Sequence, residues 1–358
     1  MMLRRTCVRA LVAFAVALVL SVPARPAPAS QTLTYATVHG SVSEGPLMDT
    51  LNLVAQGAGL YRDEDLTVTY VYGKDAADVA RICSSGEADF CGLGVERVFS
   101  GYDTGVPLTM FLANESRYTY VVVVPAESPV RALTDLKGKD VGVHQLGPPG
   151  RPFGGQIAVA AMLGSAGLAA TDYNIVEIGY YQAAMDALLG GKVAAAGYPR
   201  YEVLPFQAKG VKLRLFESEA LAPSGGFDAA PATVQTKSEA LRHFSRAIVK
   251  AALLIRLNPR AAAHAMLQAA AAPYTDADLD LLASELTLWQ DDLPAADPAN
   301  KRIGSFPLDA EARYAALLAQ FGQTKTVVPV AATITNQFID FANDFDRKAF
   351  TARAKAMR

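Results

Sequence analysis

Residues 145–155 read Gln-Leu-Gly-Pro-Pro-Gly-Arg-Pro-Phe-Gly-Gly, a glycine-rich turn leading into an apolar helical run. A turn of this kind offers backbone N–H groups at the positive end of a helix, where phosphate, sulfate and carboxylate groups bind. Gly150 and Gly154 belong to that backbone, Arg151 adds a cation suited to two parallel hydrogen bonds with an oxyanion, and Phe153 adds an apolar wall. The alternative is a plain polar loop in front of a capped helix.

Five other stretches place polar or aromatic residues just after a strand-like run. His39, Ser41 and Ser43 bring an imidazole and two hydroxyls that can donate to an anionic or amide ligand, unless Ser43 caps a helix and His39 faces solvent. Gly94 begins a helix start that includes Arg97, whose first-turn charge opposes the helix dipole and favours a solvated position. Asn114 follows another strand. Tyr180 and Tyr181, and then Tyr198 and Arg200, open two further helices, and such aromatics suit either an organic ligand or packing between neighbouring parts of the chain. No zincin motif, Walker loop or nucleophile elbow with partners occurs, so no catalytic residue, metal ligand or cofactor site is assigned.

These residues need a frame that brings loops together. Strand-like runs at 31–38, 66–72, 89–93 and 108–112 alternate with helical runs of about ten residues, which predicts parallel strands with crossover helices. After Tyr118-Thr-Tyr-Val-Val-Val-Val-Pro125 the pattern resumes, with strands at 141–144, 173–178, 193–196 and 211–215. Two corners echo each other about a hundred residues apart: Ser85-Gly86-Glu87-Ala88-Asp89 and Gly190-Gly191-Lys192-Val193-Ala194. The expectation is an α/β protein of two similar lobes, 30–124 with 225–358 and, inserted, 125–224. A returning strand at 227–235 would precede helices at 238–257, 259–271, 275–288, 309–321 and 335–355. Ligands of such open sheets sit beyond the carboxyl ends of the strands, here in a cleft between the lobes.

Residues 1–29 have the form of an export leader: Arg4, Arg5 and Arg9 precede an apolar run from Ala10 to Val22, and Ala27-Pro28-Ala29 offers a cleavage site. The run is shorter than the ~20 residues that span a bilayer, so stable membrane insertion is not expected. The leader holds four of the 33 basic residues and none of the 35 acidic ones, leaving 29 against 35. That acidic balance disfavours nucleic acid and anionic membrane as partners and points to a small-molecule ligand and a monomer. Cys83 and Cys91 would remain. A bridge between them would close a loop of about eight residues, worth roughly 2.5 kcal/mol by chain entropy, whereas helical spacing from Ala76 places Cys83 on a buried face.

Several motifs together resemble the periplasmic substrate-binding proteins of ABC importers, the group that includes the aliphatic-sulfonate, taurine, nitrate and thiamine-precursor binding proteins. They are Gly59-Leu60-Tyr61 with Leu66-Thr-Val, Ser85 to Phe90, Gly105-Val-Pro107, Leu133 to Val143 and Gly190-Gly191-Lys192-Val-Ala-Ala, the last without the usual acidic residue. The resemblance implies a two-lobed type II periplasmic binding protein fold, each lobe a mainly parallel sheet flanked by helices. It also implies a periplasmic, non-enzymatic protein that delivers a sulfonate, carboxylate or related solute to a membrane permease and its ATPase. An exported enzyme on the same fold and a ligand-presenting sensory module are the alternatives.

Overall fold

A computed structural model describes residues 31–38, 49–147, 154–218, 221–222, 225–271, 273–294, 302–320 and 322–358. The expected leader and six candidate residues, His39, Ser41, Ser43, Gly150, Arg151 and Phe153, lie outside the described residues.

Two five-stranded sheets organise the chain. The first contains β1 (Gln31–Thr37), β2 (Leu66–Tyr72), β3 (Phe90–Gly94), β4 (Thr109–Ala113) and β10 (Gly225–Ala229) in the order β2-β1-β3-β10-β4. The second contains β5 (Tyr120–Pro125), β6 (Asp140–Val143), β7 (Asn174–Glu177), β8 (Ala195–Pro199) and β9 (Leu213–Phe216) in the order β7-β6-β8-β5-β9. The two orders are equivalent. In each, parallel neighbours flank one antiparallel strand in the fourth place, and that strand has just crossed from the other half of the chain. Each sheet is therefore mixed, with parallel pairing confined to one side.

This placement moves one expected boundary. Tyr120–Pro125 was expected to end the first lobe at residue 124, but it pairs antiparallel with β8 and β9 in the second sheet. Its side chains, Val121 to Val124, are all buried, so hydrophobicity alone fits either sheet. The returning strand is likewise earlier than expected: β10 ends at Ala229, and Pro231 takes the first position of helix α7 (Pro231–Thr236).

Helices follow their sequence signals. Asp75 caps α2 (Ala76–Ser85) by accepting a 2.8 Å bond from the Asp78 amide, and Gly86 ends it at φ 81°, a left-handed position that costs glycine little. Helix α8 (Ser238–Leu257) buries Leu241, Phe244, Ile248, Leu254 and Ile255 on one side and occupies the expected span. Helix α1 (Thr50–Gly57) packs on α9 (Pro259–Ala270) so closely that a Cβ on Gly57 would fall 1.8 Å from the Ala265 carbonyl oxygen. The expected final helix is two, Ile339–Asn343 and α14 (Arg347–Ala356), the latter capped by Asp346. Cys83 and Cys91 are fully buried free thiols, so the bridge is not formed; the helix-face alternative describes Cys83.

The two halves also meet through side chains. Leu204 of α6 (Arg200–Ala208) is buried in the core that contains Leu241, Leu282 and Leu286, the last two on α10 (Asp276–Trp289). A second core joins Val98 and Phe99 of α3 (Val95–Thr104) to Val122 and Val124 of β5 and to Tyr314 and Leu318 of α11 (Leu308–Gln320). Among the described residues, no helix is long and apolar enough to cross a membrane.

Candidate ligand-binding site

A cleft of about 980 Å³ opens where β1, β3 and β4 of the first sheet end and β5 of the second begins. Its walls come from Thr37 at the end of β1, Asp49 and Asn52 around the start of α1, the β3–α3 turn, the linker into β5, and the start of α4 (Gly154–Ser165). Tyr201 of α6, Phe227 of β10 and Trp289 at the end of α10 complete it, with residues 323–325 at one side.

Three carboxyl groups in this lining are held by hydroxyls. Asp49 accepts from Tyr35 at 2.7 Å and Thr37 at 2.9 Å. Glu96, in the first turn of α3, accepts on Oε1 from Tyr118 at 3.0 Å and Tyr314 at 2.7 Å. Glu115 accepts from Thr119. Burial pushes the Glu96 carboxyl above its ordinary value despite these bonds, and pushes Glu115 up to about 8. Behind Glu96 lies Glu311, fully buried and raised to about 9 by burial and by the charge of Glu96. Gly225 is needed beside them, because a Cβ there would meet Asn114 Oδ1 at 2.3 Å and Glu115 Cδ at 2.8 Å.

Of the residues singled out in the sequence, Gly94, Arg97, Asn114 and Gly154 line the cleft together. Arg200 does not. Its Nε lies 2.6 Å from Asp292 Oδ2, and its Nη1 reaches Glu217, which also pairs with Arg117 at 3.0 Å. The cation is thus committed to a network across the chain crossing, in place of the expected ligand contact. Tyr198 is fully buried, its ring edge-on to His144 at 4.9 Å and its hydroxyl donating to the Tyr181 carbonyl. Tyr180 is half exposed and donates to Gln145 at 2.7 Å, while Tyr181 begins α5 (Tyr181–Leu189) at φ 47°. None of these three tyrosines lines the cleft. Tyr180 and Tyr198 pack on the ring of His144, which lies 3.4 Å from the buried Glu202. Burial lowers the imidazole to about 4 and raises the carboxyl to about 8, each shift favouring the uncharged form.

Sequence reasoning passed over Asp49, Glu96, Glu115, Phe227 and Trp289, whereas Tyr201, in the stretch Tyr198 to Tyr201, lines the cleft. Glu96 and Glu115 each adjoin a stretch that was singled out, and the strand-end position was the usable signal. Trp289 carries no local signal, because only the docking of α10 on α6 brings it to the cleft.

A sequence profile of the family described as NMT1/THI5 like matches residues 50–262, more than half of the chain. The chain belongs to the NMT1/THI5-like family. Within reach of this family by sequence is the riboflavin-binding protein RibY of Chloroflexus aurantiacus, 24% identical over 294 residues, covering 80% of this chain and 81% of RibY. Among solved structures, the aliphatic sulphonate binding protein SsuA of Escherichia coli superposes with a TM-score of 0.61 at 16% identity, covering 85% of this chain and 92% of its own. The alkanesulfonate-binding SsuA of Xanthomonas axonopodis pv. citri, bound to MOPS, gives 0.60 at 17% identity, with 86% and 98% covered. The desulfurization enzyme DszB gives 0.55 at 14% identity, covering 87% of this chain and 98% of its own. The NMT1/THI5-like chain therefore has the periplasmic binding protein fold, a fold that also carries an enzyme.

Proposed function

We propose that the protein is the periplasmic solute-binding component of an ABC importer, which captures a small organic solute between its lobes and presents it to a membrane permease. The observation that carries this reading is the cleft itself: about 980 Å³, lined by residues of both halves of the chain and by the linker that leads from the first sheet into β5. That volume is at the upper end for a single small-molecule site. A ligand touching both walls favours the closed arrangement of the lobes, and differential binding to the closed state is the whole of the work required. The binding-protein relatives, and the leader-like pattern of residues 1–29, support the same reading.

An enzyme reading has the fold of DszB in its favour. Both described cysteines are fully buried, and burial raises the Cys91 thiol well above its ordinary value, so an enzyme here would not draw its nucleophile from either of them.

The test is a titration of the refolded, ligand-free chain with riboflavin, alkanesulfonates, aromatic carboxylates and nitrogen heterocycles, followed by X-ray scattering and by chromatography of each compound. A ligand that contracts the particle and is recovered unchanged is the expected result. Saturable binding with no contraction removes the closure mechanism, and conversion of the compound replaces the binding protein with an enzyme.

A further inference from the structure

We propose that Arg200 and Asp292 form a latch that sets how far apart the two lobes stand, with Tyr201 and Trp289 linking it to the cleft; this rests on the reading of the cleft as a ligand site between lobes that move. The pair joins the two halves of the fold: Arg200 opens α6, straight after β8 of the second sheet, and Asp292 lies in the turn after α10. Their side chains are 17% and 6% exposed, so salt screens the attraction little.

Asp292 is the fixed post of this latch. Arg256 of α8 donates to the carbonyls of Leu293 at 2.8 Å and Pro294 at 2.9 Å, and Gln290 returns a bond to the Ile255 carbonyl at 3.1 Å, so the turn is fastened to a helix of the first core. On its other side the turn takes both donors of Ser116, the amide on the Asp292 carbonyl and the hydroxyl on the Asp291 carbonyl, each at 2.9 Å. Arg200 also reaches Glu217, just past β9, and Glu217 pairs with Arg117, just before β5. Both chain crossings therefore meet at one cation. Rotation of either lobe about those crossings moves Arg200 relative to Asp292, because the two belong to different lobes.

Tyr201 and Trp289 stand between the latch and the cleft. Both line the cleft, and both line a void of about 10 Å³ whose other walls include Arg200 and Asp292. Each ring also adjoins a latch residue along the chain: Tyr201 follows Arg200, and the Trp289 carbonyl accepts from the Asp292 amide at 2.9 Å. A void of that size has room for a single water molecule at most, so a ring displaced from the cleft side moves the ion pair with it.

The test uses the full chain without ligand and two readouts: X-ray scattering for the separation of the lobes, and acrylamide quenching of Trp289, which is the only tryptophan in the sequence and 5% exposed. In Arg200→Met and in Asp292→Asn the radius of gyration is expected to rise by about 1 Å from the ~20 Å of a compact chain of this length, and quenching is expected to rise with it. Arg200→Lys keeps the charge without the reach to two carboxylates, so a smaller expansion is expected, and it decides the matter if the other two variants do not fold. Thermal melts run alongside show which variants are folded. A lowered melting point with the parent's radius and quenching in the folded variants overturns the latch, because a purely structural ion pair would do only that. The absence of ligand separates this result from the titration that tests closure: a chain that contracts with no compound of that panel removes the closure mechanism, whereas a folded variant with the parent's radius removes the latch.

Discussion

Arg200 Nε lies 2.6 Å from Asp292 Oδ2, and this ion pair fastens the first residue of α6, in the second half of the fold, to the turn after α10. Ser116, in the linker to β5, donates its amide to the Asp292 carbonyl at 2.9 Å, so the same turn also grips the chain crossing. Asp292→Ala removes the carboxylate from a largely buried guanidinium and is expected to cost about 2 kcal/mol, less than a fully buried pair because Glu217 remains. Urea denaturation with an unchanged slope checks it, and an unchanged midpoint would show that Glu217 alone satisfies Arg200.

Glu311 gives a pH dependence of definite sign. Its folded value, about 9, lies above the ordinary carboxyl value, so between about pH 4.5 and 9 the folded state holds a proton that the unfolded state has lost. Stability from this group therefore falls as pH rises through that window and levels off above it. Glu311→Gln keeps the shape without the titration. At pH 8.5 the variant is expected to be more stable than the parent by on the order of 2 kcal/mol, with the difference vanishing near pH 4. Parallel denaturant curves at the two pH values decide it.

Gly225→Ala introduces a methyl into the space held by Asn114 Oδ1 and the Glu115 carboxyl. Because both neighbours line the cleft, the expected effect is on ligand affinity, a loss of about tenfold or more, with a stability cost of about 1–3 kcal/mol from overpacking. Calorimetric titration beside a thermal melt separates the two.

Gly57→Ala tests the α1–α9 contact at the end of α1 opposite its cleft-lining first turn. The added carbon would collide with the backbone oxygen of Ala265, which cannot move without shifting α9, so a destabilisation of about 3 kcal/mol is expected with ligand affinity preserved. A melting point within a degree of the parent would mean that the helices separate freely.

Cys83 and Cys91 are expected to resist a thiol reagent in the native protein and to react together, without reductant, once the chain is unfolded. Failure to react after unfolding would mean the oxidised pair.

The sequence carried the local geometry well and the long-range geometry poorly, for a physical reason. Helix α8 was legible to the residue because one amphipathic face persists over its full length, with a clear break at Asn258-Pro259. The strand containing Val121 to Val124 was legible as a strand but not as a member of the second sheet, since uniform burial erases any preference for one partner. In the site, glycine and strand-end positions revealed Gly94, Asn114 and Gly154. Arg200 and Tyr198 occupy equally favourable chain positions, yet a carboxylate from α10's far end claims one and the interior claims the other. Neither event leaves a mark near residue 200.

The antiparallel strand in the fourth place of the first sheet has a consequence for synthesis. Strand β4 touches the rest of that sheet only through β10, and Leu93 donates its amide to Asp228, 135 residues further along the chain. A nascent polypeptide halted before Gly225 holds β2-β1-β3 as a three-stranded fragment with one open edge and β4 without a strand neighbour. Closure of so long a loop is slow. Most of the molecule must leave the ribosome before its first half can become compact, so the unfinished chain stays open for most of its synthesis.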